Sequence, residues 1–138
     1  MTNGSCPACT PNSVLQAAFD KSTAALLAQG AKSFGEVPNV GSACLYRGPE
    51  GRKCAIGHLM SDEQIAFFEI KEDTNVWTFP SGLLNQLLPE VDEAIGAKFL
   101  SELQRAHDRA SPSTFVADFT RVANEVASCY NLTPIKET

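Results

Sequence analysis

The chain has 138 residues, 43% of them hydrophobic and 20% charged, which suits a single domain long enough to bury a core. Its formal net charge of -5 argues against a general nucleic-acid binder, which needs clustered Lys and Arg, and permits an acidic surface that meets a basic partner. No apolar run is long enough to span a bilayer, and the start Met-Thr-Asn-Gly-Ser-Cys-Pro lacks the basic and apolar regions of a signal peptide. The expected location is therefore a reducing cytoplasm, where the five cysteines act as thiols or metal ligands rather than disulfides.

Residues 1–11 hold two Pro, a Gly and the Cys6-Pro7-Ala8-Cys9 run, and read as a flexible lead-in to one domain over 12–131. A helix is predicted from Ser13, with Ser13 and Gln16 as a capping box and Val14, Leu15, Ala18, Phe19, Ala25 and Leu26 on one stripe. Gly30 ends it, and residues 31–42 read as loop. Next comes the clearest strand-turn-strand pattern, from Ala43 to Ile56. Pro49-Glu50-Gly51 suits a type I turn with a glycine bulge, so Gly48 faces Arg52. Counting outward, Cys44, Tyr46, Cys54 and Ile56 share a core face, while Leu45, Arg47, Lys53 and Ala55 share the other.

Ser61 and Gln64 form a second capping box, for a helix to about Ile70 with Ile65, Phe68 and Phe67 on its apolar face. Val76 to Phe79 reads as a short extended or packed segment stopped by Pro80, and a short helix follows over Ser81–Leu88. A helix from the Pro89–Asp92 region to about Arg109 carries Ile95, Phe99, Leu100, Leu103 and His107 on one stripe. A last helix over 113–129 has the most regular stripe: Phe115, Phe119, Val122, Ala123 and Val126. Residues 132–138 read as a frayed tail. The predicted fold is α+β but mainly α, with four or five helices packed around one β-hairpin at about 43–56, since a lone hairpin needs a helix to cover its face.

The chemistry-bearing residues are few. Cys6 and Cys9 have zinc-knuckle spacing, and Cys44 with Cys54 can complete a set of four; a solvated tail and two buried thiols are the plainer reading, so no metal is assigned. A Cys-His reading takes Cys54 as nucleophile, His107 as base and Asp108 as its orienter, but adjacent helical residues point apart, so Asp108 is not expected to orient His107. Arg47, Arg52 and Lys53 flank a glycine-rich turn in an acidic chain, with His58 just beyond. Together these four can hold a phosphate or carboxylate, although a solvated hairpin tip is the somewhat plainer reading. No cofactor motif is present.

The run Cys44-x-Tyr46-Arg47-x-x-x-Gly51-x-Lys53-Cys54-Ala55-Ile56-Gly57-x-Leu59-Met60-x-Asp62-Glu63, with Leu103-Gln104-x-x-His107-Asp108 later, resembles small accessory proteins of tailed phages and prophages. The resemblance covers about a quarter of the chain. It implies a host-cell cytoplasmic context and, at the level of the class, counteraction of host defence; no catalytic role comes with it. The first reading is then a non-catalytic binding protein. It blocks a host defence protein through an acidic or apolar face, or sequesters an anionic nucleotide signal at Arg47, Arg52, Lys53 and His58, within one chain or between subunits of a homo-oligomer. The alternative is a Cys/His-dependent hydrolase or thiol-redox protein using Cys54 with His58 or His107. A structural or regulatory phage protein with no defence role is the third reading.

Overall fold

The structure is a computed structural model that describes residues 11–37, 41–48, 51–71, 74 and 76–135, of which 11, 12, 34–37, 41–44 and 81 are described by their backbone alone. The α+β arrangement around a hairpin at 43–56 is not what the chain adopts: among the described residues no hairpin spans that stretch, and the body is helical. Among the described residues five helices form it: α1 (Pro11–Gln29), α2 (Asp62–Phe67), α3 (Ser81–Leu87), α4 (Glu93–Arg109) and α5 (Phe115–Cys129). Single 3-10 turns at Val76–Thr78 and Pro112–Thr114 precede α3 and α5. Among the described residues strand pairing falls earlier, mostly in the stretch read as loop, where four residues of β1 (Phe34–Val37) run antiparallel to four of β2 (Gly41–Cys44).

The reason for the correction lies in where the backbone donors go. Around the expected tip the Gly48 N–H donates to the Arg52 carbonyl at 2.7 Å and Gly51 takes φ +75, while Pro49 and Glu50 of the expected turn lie outside the described residues. Beyond the tip the two arms separate. The Leu45 N–H donates to the Ser33 carbonyl at 3.1 Å. The Lys53 N–H goes to Gln29 Oε1 of α1 at 2.8 Å, and the Ile56 N–H to Gln104 Oε1 of α4 at 3.0 Å. Carboxamides from two helices thus take the Lys53 and Ile56 N–H groups that a strand partner needs, so these donors stay bonded without a ladder. Burial follows suit: Leu45 and Ala55, assigned to the outer face by alternation, are 8% and 0% exposed, as deep as Tyr46, Cys54 and Ile56.

The helices follow their apolar stripes with local exceptions. In α1, Leu15, Phe19 and Leu26 are buried, and Gly30 at φ +69 closes the helix by donating to the Leu26 carbonyl at 2.8 Å. The expected Ser13–Gln16 box is replaced, because α1 begins at Pro11 and the Gln16 carboxamide bonds Thr133 instead. The Ser61–Gln64 box is present, with bonds of 3.0 and 2.9 Å. α2 stops at Phe67, short of Ile70. Glu69 turns left-handed at φ 55, and the N–H groups of Glu69 and Ile70 return to the carbonyls of Ala66 and Ile65, the paired bonds of a Schellman end.

α4 starts on Asp92, whose carboxylate accepts from the Ala94 and Ile95 N–H groups at 3.1 and 3.3 Å. Ile95, placed on its buried stripe by spacing, is half exposed, and Gly96 is buried in its place with the Leu88 methyl group pressed against it. Phe99, Leu100 and Leu103 of α4 meet Phe115, Phe119 and Ala123 of α5 at the centre of the core, each fully or almost fully buried. Each large side chain among them contributes roughly 2 kcal/mol. Among the described residues no helix is long and apolar enough to cross a membrane.

Candidate functional site around the Cys54–Met60 turn

Residues 54–60 form successive tight turns held by the His58 N–H to the Cys54 carbonyl at 3.1 Å and by the Leu59 and Met60 N–H groups to the Ile56 carbonyl at 2.9 and 3.2 Å. Gly57 is required here, because a Cβ would collide with the Tyr46 carbonyl oxygen. Arg47 closes the turn from outside. Its Nη1 donates to the carbonyls of Tyr46 and Gly57 at 3.1 and 2.7 Å, Nη2 donates to the Met60 carbonyl at 2.7 Å, and Nε donates to Asp62 Oδ1 at 2.7 Å. The guanidinium holds the Asp62 carboxyl below its ordinary range, chiefly through that hydrogen bond. Arg47 is therefore engaged by the fold, where the sequence left it open to an anion.

The other residues proposed for anion binding sit around the same turn. Gln29 grips the main chain of Lys53 from both sides, accepting its N–H at 2.8 Å and donating to its carbonyl at 2.9 Å. The same Oε1 lies 3.1 Å from His58 Nε2, so the imidazole carries its proton on Nε2 and donates it there. Half-burial, then the charges of Lys53 and Arg47, push the His58 pKa down to about 4, which makes it a neutral group near pH 7. The Arg52 carbonyl accepts from Gly48 and from Ser33 Oγ at 2.7 and 3.4 Å. The fold thus brings Arg47, Lys53 and His58 close enough to act on one another's charge.

The cysteine and histidine of the hydrolase reading are buried behind the turn. Cys54 is 1% exposed and its Sγ accepts the Gly57 N–H at 3.4 Å; burial pushes the thiol up to about 12, so it stays protonated. His107 is fully buried with its ring edge-on to Phe115 at 5.6 Å. Contrary to the expectation from helical spacing, Asp108 does reach it, with Oδ1 3.0 Å from Nδ1. The carboxylate folds back along the helix, fixed by Gln104 Nε2 at 2.6 Å, so adjacency in sequence does not keep the two side chains apart. His107 Nε2 accepts the Ser33 N–H at 3.1 Å. With one ring nitrogen accepting and the other donating, the imidazole is a neutral structural bridge with no lone pair left for a base.

Gln29, Ser33, Gln104 and Ser22, whose hydroxyl donates to the Ala55 carbonyl at 2.8 Å, are the residues that sequence reasoning missed as organisers of this region. Gln104 carried a signal, since it precedes His107 and Asp108 by three and four positions and so shares their helix face. Cys6 and Cys9 lie outside the described residues, as does the Cys44 side chain, and no group of His, Cys, Asp and Glu among the described residues is arranged to hold a metal ion. Comparison of the chain with protein-family profiles, curated proteins and solved structures finds no match.

Proposed function

We propose that this chain is a non-catalytic binding protein of phage or prophage origin that blocks a host defence protein in the host cytoplasm. The observation that carries the reading is the closure of the Cys54–Met60 region. Its thiol is protonated and buried, both His107 nitrogens are bonded, and the Arg47 guanidinium is spent on carbonyls and Asp62. Groups used in this way position a surface rather than attack a substrate.

The same facts favour docking on a protein over capture of an anionic nucleotide, because two of the four proposed anion contacts are committed or uncharged. The outer edge of the turn opens onto a groove of about 630 Å³ between α1, the Leu59–Gln64 stretch and the end of α3. Phe67, one turn beyond Gln64 on α2, is 78% exposed with its ring edge-on to Phe68. An exposed aromatic ring one helical turn from a residue that lines the groove is the kind of anchor that dominates protein interfaces.

The test is capture of a defence protein from host lysate by the tagged chain, repeated with Phe67→Ala and with Arg52→Ala plus Lys53→Ala, alongside phage plating on hosts that carry the defence system. Loss with Phe67→Ala alone supports the reading. Loss only with the Arg52/Lys53 pair, together with calorimetric binding of a cyclic nucleotide, replaces it with the anion reading. Activity that disappears with Cys54→Ser in a folded protein restores the enzyme.

A further inference from the structure

α5 ends in a left-handed turn in which Asn131 takes φ 58 and the Leu132 N–H returns to the Ala127 carbonyl at 2.8 Å. This Schellman end directs the following residues back over the helices. Leu132 is buried, and Ile135 is half-buried against the core. Two carboxamides read the main chain between them. Gln16 of α1 accepts the Thr133 N–H at 2.7 Å and donates to the Thr133 carbonyl at 3.2 Å. Asn124 of α5 accepts the Ile135 N–H at 2.7 Å and donates to the Ile135 carbonyl at 3.4 Å.

A carboxamide offers an acceptor and a donor side by side, which matches the N–H and C=O of one extended residue. Thr133 and Ile135 are two apart, the spacing at which an extended chain turns its main-chain groups to the same edge. Pro134 between them has no N–H to leave unpaired. All four bonds go to main-chain atoms, so this recognition is of shape, with two apolar residues three apart as its only side-chain requirement. A groove of about 490 Å³ runs beside these residues along α1, past Thr23 to Leu27, and gives room for a longer segment.

We infer that the α1–α5 groove is a recognition site for an extended peptide, held in cis by residues 132–135 and open to exchange for an extended partner segment with apolar residues three apart. The inference rests on the binding-protein reading and names the kind of element that the partner presents. The tethered residues compete at an effective concentration on the order of millimolar, so a partner segment succeeds by filling the groove beyond them. Their release exposes one buried side chain, a local event well short of global unfolding.

The test is fluorescence polarisation of a labelled, capped Asn-Leu-Thr-Pro-Ile peptide against the full chain and against the full chain carrying Leu132→Gly and Ile135→Gly. The weakened chain is expected to bind the peptide about tenfold more tightly than the natural one. Adding Gln16→Ala, or methylating the peptide nitrogens that stand for Thr133 and Ile135, is expected to weaken binding about tenfold or more. No binding to the weakened chain at about 1 mM, or binding indifferent to methylation, overturns the inference. Should that variant not fold, hydrogen exchange on the natural chain decides: the Thr133 and Ile135 amides exchanging about 100-fold faster than Ala123 supports release, and equal rates refute it. The peptide assay contains no host component, so its failure leaves defence-protein blocking standing and a failed lysate capture leaves the groove standing.

Discussion

Replacing Arg47 by Ala removes, among the described residues, four hydrogen bonds from one side chain that is 25% exposed, three to carbonyls of the Tyr46–Met60 region and one to Asp62. A hydrogen bond to a charged group contributes about 1.5–3 kcal/mol when buried. Water reaches part of this site and re-solvates the carbonyls, which brings the expected total down to about 2–4 kcal/mol. For a chain of this length that is a drop in Tm of roughly 6–15 °C. Arg47→Lys is expected to lose most of the same stability, because one ammonium cannot reach three diverging carbonyls. Asp62→Ala is expected to change little, since that carboxylate side chain is 87% exposed. Urea unfolding followed by circular dichroism measures all three. If Arg47→Ala costs less than about 0.5 kcal/mol while anion binding disappears, the guanidinium is a ligand-binding group and the closure argument fails.

Other outcomes follow from the same geometry. Gly57→Ala forces a backbone shift against the Tyr46 carbonyl and is expected to cost at least about 2 kcal/mol by urea denaturation; a neutral result would mean that the turn is loose. Cys54, tracked by mass spectrometry, is expected to resist a thiol reagent in the native protein and to react after unfolding, while exposed Cys129 reacts at once; native labelling of Cys54 would reopen the redox reading. His58, whose pKa falls from 6.5 to about 4 on folding, binds its proton more readily in the unfolded chain. Stability is therefore full above about pH 6.5 and declines as pH falls toward about 4, by roughly 1–2 kcal/mol once partial exposure is discounted. His58→Gln should flatten this part of the pH profile, and an unchanged slope would refute the assignment.

Much of the helical body could be read from residue spacing because α5 and most of α4 write their buried face into their own sequence, whereas α2 buries no residue and exposes Phe67, expected on its apolar face. Phe115, Phe119, Ala123 and Val126 recur at three and four positions, and all are buried. Gly30 and the Ser61–Gln64 box also act as read, since a cap depends on neighbours in the chain. Errors arose where a local pattern met a distant competitor. Gln16 fits a capping box as well as it fits the Thr133 main chain 117 positions away, and the distant partner holds it. The Schellman end at Glu69 shortened α2, and nothing in the side-chain alternation announces a left-handed glutamate.

The Ala43–Ile56 stretch divides on the same principle. Local chemistry suffices for two of its features: Gly51 turns left-handed and the Gly48 N–H meets the Arg52 carbonyl, since both depend on near neighbours in the chain. Whether the arms pair is a competition for backbone donors, and only the tertiary structure decides it. Gln29 and Gln104 arrive from α1 and α4 and take the N–H groups of Lys53 and Ile56. The same folding event buries His107 between Ser33 and Asp108 and turns Arg47 inward. The sequence by itself determined which residues gather near the turn; the packing of the helices determined that their polar groups are spent on one another, because each buried donor must find an acceptor wherever the fold supplies one.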